Sequence, residues 1–366
     1  MGLESAGRLA EGESGWGIPA RRRLHGAILG PVEPVLFPGR LPFRGPWLLA
    51  PMEGVTEPCF RDLVLGLHEG LPASGLGGAF TEFVRVVDRP LPTRVLRRHL
   101  GERASPIPVG LQLMGNDLAA LAETAVRAVE AGAAVVDLNF GCPAKGALKG
   151  CAGSAVLRDP PRLAAIVAAV VAALGDSAPV TAKIRAGYDD AERVEELARA
   201  AEAGGARLLS IHCRTKAEGY CEAVDWTRVA RAVEAVAIPV CGNGGVERHA
   251  DLERMRAETG CALVMVGRGA LADPWVFSGV EVDAATAARF LVDYAEALAE
   301  RGGASPHKCA ARLKQLLRLW TAGGLCADDR ASWLTERDPA RLRARLAAIA
   351  DGTWKASAAE PILVHP

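Results

Sequence analysis

Between residues 47 and 268 the chain alternates short apolar runs with Ala-, Leu- and Val-rich stretches of helical period. Runs of a few apolar residues without polar alternation are what strands covered on both faces require. Longer stretches with apolar positions three and four apart are amphipathic helices. The runs fall at 47–50, 77–84, 108–113, 133–139, 179–185, 207–212, 238–243 and 262–268. Helices are predicted between them over 57–67, 117–131, 160–174, 190–203, 226–236 and 247–258. Asp117 is placed to cap the helix that follows it, and Gly204-Gly205 closes another. Eight strand-then-helix units in succession fit a (β/α)8 TIM barrel better than an open doubly wound sheet. From residue 284 the strand signals stop, and 284–301, 306–321 and 338–349 carry a helical period. The predicted organisation is therefore a poorly ordered N-terminal extension over 1–45, a TIM-barrel catalytic domain over 46–282, a small C-terminal helical domain over 283–350 and a tail over 351–366.

Such a barrel does its chemistry at the C-terminal ends of its strands, and the polar residues gather there. Gln112 ends the third run, Asn139 and Cys142 close the fourth, and Lys183 lies at the end of the fifth. His212 and Arg214 end the sixth, Asn243-Gly244-Gly245 the seventh and Gly267-Arg268-Gly269 the eighth. Cys142 stands between Gly141 and Pro143 on a turn, which holds a thiol in place; a single Cys also serves as a small buried hydrophobe. The glycines after the last two runs can turn backbone N–H groups toward a phosphate beside Arg268, or simply make turns. Lys183 sends a cation into the mouth of the barrel and needs an anionic ligand or a neighbouring carboxylate. His212 can donate to the same ligand or be a satisfied core histidine.

Charge narrows the picture. Forty-three Lys and Arg balance forty-three Asp and Glu, which argues against indiscriminate nucleic-acid binding and leaves room for local basic patches. Two are visible. One is the segment with Arg85, Arg89, Arg94, Arg97, Arg98 and Arg103. The other is the predicted helix 306–321 with Lys308, Arg312, Lys314 and Arg318, and over 284–350 eleven Lys/Arg stand against seven Asp/Glu, a net of +4. Aromatics make up 5% of the chain, too few for an RNA binder built on stacking platforms. Nine Cys with no CxxC pair and no regular spacing argue against a disulfide framework and a zinc ribbon, so a reducing cytoplasmic compartment and no metal are expected. No apolar run approaches the roughly 20 residues of a membrane span. A monomer is expected.

The motifs, in order, are Leu49-Ala50-Pro51-Met52-Glu53-Gly54-Val55-Thr56, Thr81-Glu82-Phe83, Gln112-Leu113, Asp137-Leu138-Asn139-Phe140-Gly141-Cys142-Pro143, Lys183-Ile184-Arg185, His212-Cys213-Arg214-Thr215, Gly242-Asn243-Gly244-Gly245 and Val266-Gly267-Arg268-Gly269-Ala270. With this set the chain resembles the tRNA-dihydrouridine synthases over about residues 47–350. Met52-Glu53-Gly54, the stretch 83–88, and Arg214-Thr215-Lys216 with Gly219-Tyr220 look most like the bacterial C branch, associated with uridine 16 of the D-loop. The resemblance implies FMN-dependent reduction of the C5–C6 bond of a D-loop uridine in tRNA to 5,6-dihydrouridine, with NADPH as reductant. It implies Cys142 as the proton donor. Pro51, Met52, Glu53, Gln112, Lys183 and His212 would lie by the flavin ring, and Asn243, Gly244, Gly245, Gly267 and Arg268 by its phosphate. Asn139 would hold the target base, while Arg85, Tyr220, Arg312 and Lys314 would touch tRNA. The rival is a flavin-dependent reductase or dehydrogenase of a free pyrimidine, which shares barrel and cofactor but has no use for a basic helical domain. This chain departs from the family after the Cys142 turn, where Cys151-Ala152 stand in a usually more Gly-rich run.

Overall fold

The computed structural model describes residues 41–70, 75–102, 104–144, 146, 150–219 and 223–354. Its strands are β1 (Trp47–Leu49), β2 (Leu76–Phe80), β3 (Val84–Arg85), β4 (Val109–Met114), β5 (Val135–Phe140), β6 (Val180–Arg185), β7 (Leu208–His212), β8 (Val240–Asn243) and β9 (Leu263–Val266). All pairings are parallel. The order β2-β1-β9-β8-β7-β6-β5-β4, with β2 also paired to β4, closes the ring, and the two-residue β3 extends beside β4. The fold is an eight-stranded parallel barrel of the TIM type followed by C-terminal helices.

The barrel helices are α1 (Pro58–His68), α2 (Thr93–Leu100), α3 (Leu118–Glu130), α4 (Pro160–Leu174), α5 (Val194–Ala203), α6 (Thr227–Ala235), α7 (Ala250–Thr259) and the short α8 (Arg268–Ala272). Local chemistry sets their starts. Asp117 accepts from the Ala120 N–H at the head of α3, and Asp159 with Pro160 opens α4. α2 lies in the segment the sequence reads only as basic. Leu96 is buried and Leu100, one turn on, packs partly against the core, while Arg94, Arg97 and Arg98 are exposed.

Within the strands the period of two sorts side chains by face. On β5, Val136, Leu138 and Phe140 pack outward against the helices, while Val135, Asp137 and Asn139 point into the barrel. The lower interior is apolar, filled by Leu48, Phe80, Val135, Leu208 and Leu263. Leu41 and Phe43 are fully buried in the same cluster, so the ordered core reaches into the segment read from sequence as extension. Residues 1–40 and 355–366, where most of the predicted extension and tail fall, lie outside the described residues.

The C-terminal helices are α9 (Ala284–Glu300), α10 (Pro306–Leu317), α11 (Arg330–Thr335) and α12 (Pro339–Ala350). α9 is fastened to α1. Phe60 meets Phe290 and Tyr294 edge-on at 5.9 and 5.7 Å, the Tyr294 hydroxyl donates to Glu57 at 2.7 Å, and Arg301 pairs with Asp62 at 2.7 Å. α10 stops at Leu317, short of the predicted 321, and Arg330 donates to the carbonyls of Leu317 and Trp320 beyond its end. Among the described residues no helix is long and apolar enough to cross a membrane.

Candidate active site

The upper, C-terminal half of the barrel interior is polar, and a cavity of about 280 Å³ opens above it. Its walls come from the β1–α1 loop (Pro51, Met52, Glu53), from Phe83, from Asn139 and the Gly141–Pro143 turn, and from Lys183, Arg185 and His212.

The turn that carries Cys142 is bonded on every side. Asn139 Oδ1 accepts from the Gly141 and Cys142 N–H groups at 3.0 and 2.9 Å. Arg185 Nε donates to the Gly141 carbonyl at 2.9 Å, and the Ser154 N–H donates to the Cys142 carbonyl at 3.0 Å. The side chain is 9% exposed, at the cavity edge. Burial pushes the thiol above its ordinary range, and the nearby Glu53 carboxylate adds to the shift, so at neutral pH Cys142 carries its proton.

Under the turn, Asn139 Nδ2 donates to Gln112 Oε1 at 2.7 Å, and Gln112 Nε2 donates to Asp137 Oδ2 at 2.6 Å. Burial pushes the Asp137 carboxyl up to about 6, against the hydrogen bonds from Thr181 and Gln112 that favour its charge. Lys183 Nζ donates to Asn243 Oδ1 at 3.1 Å, and Asn243 Nδ2 donates to the Met265 carbonyl at 2.7 Å. Among the described residues Lys183 has no carboxylate at ion-pair distance. Burial, followed by the neighbouring Arg185 cation, lowers its ammonium to about 8. The His212 ring is driven down to about 2 by burial, then by Lys183, Arg185, Arg214 and Arg268. It is neutral, and because its Nδ1 accepts from the Arg214 N–H at 3.2 Å, its proton sits on Nε2.

Beyond Asn243 the backbone turns through Gly244 and Gly245 at φ +109° and +76°. A Cβ there would lie 2.8 Å from Cys213 Sγ and 2.7 Å from Val224 Cγ2, so only glycine fits. Trp226 Nε1 donates to the Gly244 carbonyl at 2.9 Å and fixes that peptide. α8 starts at Arg268, directly after β9 and Gly267, and brings the N–H groups of its first turn to the same rim.

The other expected residues divide. Gln112 is fully buried beneath the cavity and does not line it. Arg85 is exposed and donates to the Gly146 carbonyl at 2.8 Å, on the loop that follows Cys142. Arg312 donates to the Gly54 carbonyl and to Gln315 Oε1, so it ties α10 to the β1–α1 loop. Lys314 donates to the Glu336 carbonyl. Tyr220 lies outside the described residues. Sequence reasoning assigned no role to Arg185, Asp137 or Glu82. Arg185 is two residues beyond Lys183 on one strand and so shares its face. Glu82 accepts from the Gly54 N–H, so the peptide groups of Gly54 are held by both Glu82 and Arg312. Among the described residues no cluster of three or more His, Cys, Asp or Glu could hold a metal ion.

The dihydrouridine synthase family profile matches residues 48–316, a span that takes in the barrel from the second residue of β1 and most of α10. The chain belongs to the dihydrouridine synthase family. Dihydrouridine synthases are oxidoreductases, and similar relatives carry a more specific name. The tRNA-dihydrouridine(16) synthase of Haemophilus influenzae is 38% identical over 234 residues, 62% of this chain and 74% of that one. That of Cupriavidus necator is 41% identical over 234 residues, 62% of this chain and 71% of that one. Among solved structures, histamine dehydrogenase from Rhizobium sp. 4-9 superposes with a TM-score of 0.49 at 13% identity, over 68% of this chain and 48% of that one.

Proposed function

We propose that this dihydrouridine synthase reduces a uridine of tRNA to 5,6-dihydrouridine, at position 16 as in the names of its relatives, with FMN held in the cavity and NADPH as reductant. The observation that carries the proposal is a protonated thiol, Cys142, on a turn bonded through its backbone, beside a half-buried lysine and a neutral histidine at the end of a barrel.

The residues present fit a flavin mononucleotide. Lys183 is a half-buried cation whose side chain, among the described residues, bonds only to a neutral amide, which an electron-rich ring edge would complement. The bare glycine backbone after β8 and the start of α8 form the kind of cradle that barrels of this class offer a phosphate. Pro51, Met52 and Glu53 would face the ring, Lys183 and His212 its polar edge, and Asn243, Gly244, Gly245, Gly267 and Arg268 the phosphate. When bound, FMN supplies the hydride that reaches uracil C6, and NADPH replenishes it.

The protein's own share is proton delivery and placement. Cys142 gives its Sγ proton to C5 as C6 is reduced, and the thiolate regains a proton from water. Asn139 already spends its oxygen on the turn and one N–H on Gln112, so a single N–H is left for the base.

The base reaches this site only by leaving the tRNA stack, so the RNA must be gripped beside the mouth. Arg85, Tyr220, Arg312 and Lys314 are the expected contacts. The exposed Arg94, Arg97 and Arg98 of α2 add cations with no ion pair among the described residues. Replacing Arg94 and Arg98 by Gln should weaken tRNA binding and lower the slope of log K against log salt by about two, as filter binding at several salt concentrations would show; an unchanged slope removes α2 from the interface. A tRNA substrate would put its site of action in the cytoplasm.

Reduction of a free pyrimidine would leave these cations without a task. The two readings separate when FMN-loaded protein oxidises NADPH in the presence of unmodified tRNA or of uracil and uridine. Acceleration by tRNA with dihydrouridine formed in it is expected. Acceleration by the free pyrimidines alone would overturn the proposal.

A further inference from the structure

Asp137 lies beneath the cavity beside Gln112 and Thr181, and none of the roles above uses it. Its side chain is fully buried on β5. As a carboxylate it only accepts: Thr181 Oγ1 donates to Oδ1 at 2.5 Å, and Gln112 Nε2 donates to Oδ2 at 2.6 Å. These bonds decide which way the Gln112 amide points. Its NH2 faces Asp137, so its carbonyl oxygen faces Asn139, whose Nδ2 donates to it at 2.7 Å. That in turn leaves Asn139 Oδ1 facing the Gly141 and Cys142 N–H groups. The series starts at an obligate acceptor and ends at two obligate donors, and only one orientation of the two amides between them matches every donor with an acceptor.

Strand register builds the series in. Gln112 pairs with Asp137 across β4 and β5, and Asp137 pairs with Thr181 across β5 and β6, so the three share one level of the barrel. Asn139 stands two residues higher on the same inward face of β5, level with Lys183.

From this geometry we infer that Asp137 is a positioning residue for the proton donor: through Gln112 and Asn139 it sets where the Cys142 thiol sits. The inference rests on the reading of Cys142 as the proton donor, and it gives Gln112 a task that fits its complete burial. Among the described residues, Asp137 is the acceptor that Gln112 Nε2 uses, and without its oxygens the amide loses that bond. The amide then turns toward cavity water, and Asn139 loses the support that holds it opposite the turn. A displacement of the acid by about 1 Å is enough to cost on the order of 100-fold in rate.

The test uses the full chain loaded with FMN. Asp137→Leu keeps the volume and removes the acceptor. Asp137→Asn keeps an oxygen for Gln112 while the Thr181 hydroxyl turns to accept from the new amide. Gln112→Met cuts the series in the middle and carries the same comparison if Asp137→Leu does not fold. Asp137→Leu and Gln112→Met should lower kcat on the order of 100-fold with the tRNA KM within about twofold, and Asp137→Asn should restore most of the loss. Iodoacetamide labelling of the Cys142 peptide, followed by mass spectrometry, should change about threefold or more in the first two variants and match wild type in the third. Wild-type kcat and labelling in Asp137→Leu or Gln112→Met would overturn the inference, as would an Asp137→Asn protein as impaired as Asp137→Leu. Labelling needs no turnover, so it reports on the geometry separately from the proton-donor reading, which falls instead if Cys142→Ala proves fully active.

Discussion

Replacing Cys142 by Ala should leave a folded protein that binds FMN and oxidises NADPH, while its reduction of tRNA uridine falls by about 10²–10⁴-fold, the range for loss of a general acid. The turn does not need the thiol. Its bonds to Asn139, Arg185 and Ser154 all use backbone atoms of Gly141 and Cys142, and Ala keeps every one. What disappears is a proton at the cavity edge. Because burial lifts the thiol above its ordinary range, the wild-type rate should hold through the usual thiol range and decline only above it as the acid form is lost. Single-turnover measurements with pre-reduced enzyme and tRNA read this step directly. Equal rates for Cys142→Ala and wild type would remove the thiol from the chemistry.

The second large effect concerns Lys183. Its half-buried side chain bonds to the Asn243 side-chain oxygen, while desolvation of the amine, followed by Arg185, lowers its pKa to about 8. A bound flavin with an electron-rich edge favours the charged amine, so binding takes up a proton where the free lysine has lost its own. FMN affinity should therefore be greatest below about pH 8 and fall as pH rises through it, by at most about one decade per pH unit. Lys183→Met should lower FMN affinity by about 10–100-fold at neutral pH, in line with loss of a charged hydrogen bond, and should abolish that pH dependence. Fluorescence titration of apoprotein with FMN measures both. Unaltered affinity in the variant would show that the lysine is no part of the flavin site.

Much of the fold was legible because most strands are short apolar runs and several helices have a punctuated start. Residues 160–174 are an example: Asp159 and Pro160 open α4 and Gly175 closes it, and the predicted and observed spans coincide. α2 escaped because it is only eight residues long and half of them are Arg or His, so its charge drew the reading rather than its short apolar side. Leu41 and Phe43 escaped because the chain before β1 has no period, and only the closed barrel shows that its lower end needs filling.

The candidate site was legible as residue types at strand ends, but their division of labour was not. In a barrel strand the outward residues are as apolar as the lower core, so Asp137 and Arg185 read as interruptions of an apolar run. Their inward direction and their bonds to Gln112 and Gly141 depend on register with neighbouring strands that sequence alone does not pair. Arg312 and Lys314 illustrate the converse. Their charge is plain in the sequence, yet the structure gives each a backbone carbonyl to hold, Gly54 on the β1–α1 loop and Glu336 before α12.

The measurement that bears most directly on the account is nucleotide-resolved mass spectrometry of tRNA lacking dihydrouridine, after incubation with the purified protein, FMN and NADPH. The account predicts new dihydrouridine at position 16 of the D-loop, in keeping with the names of its relatives. A yellow protein that oxidises NADPH and leaves every tRNA uridine unreduced would contradict it.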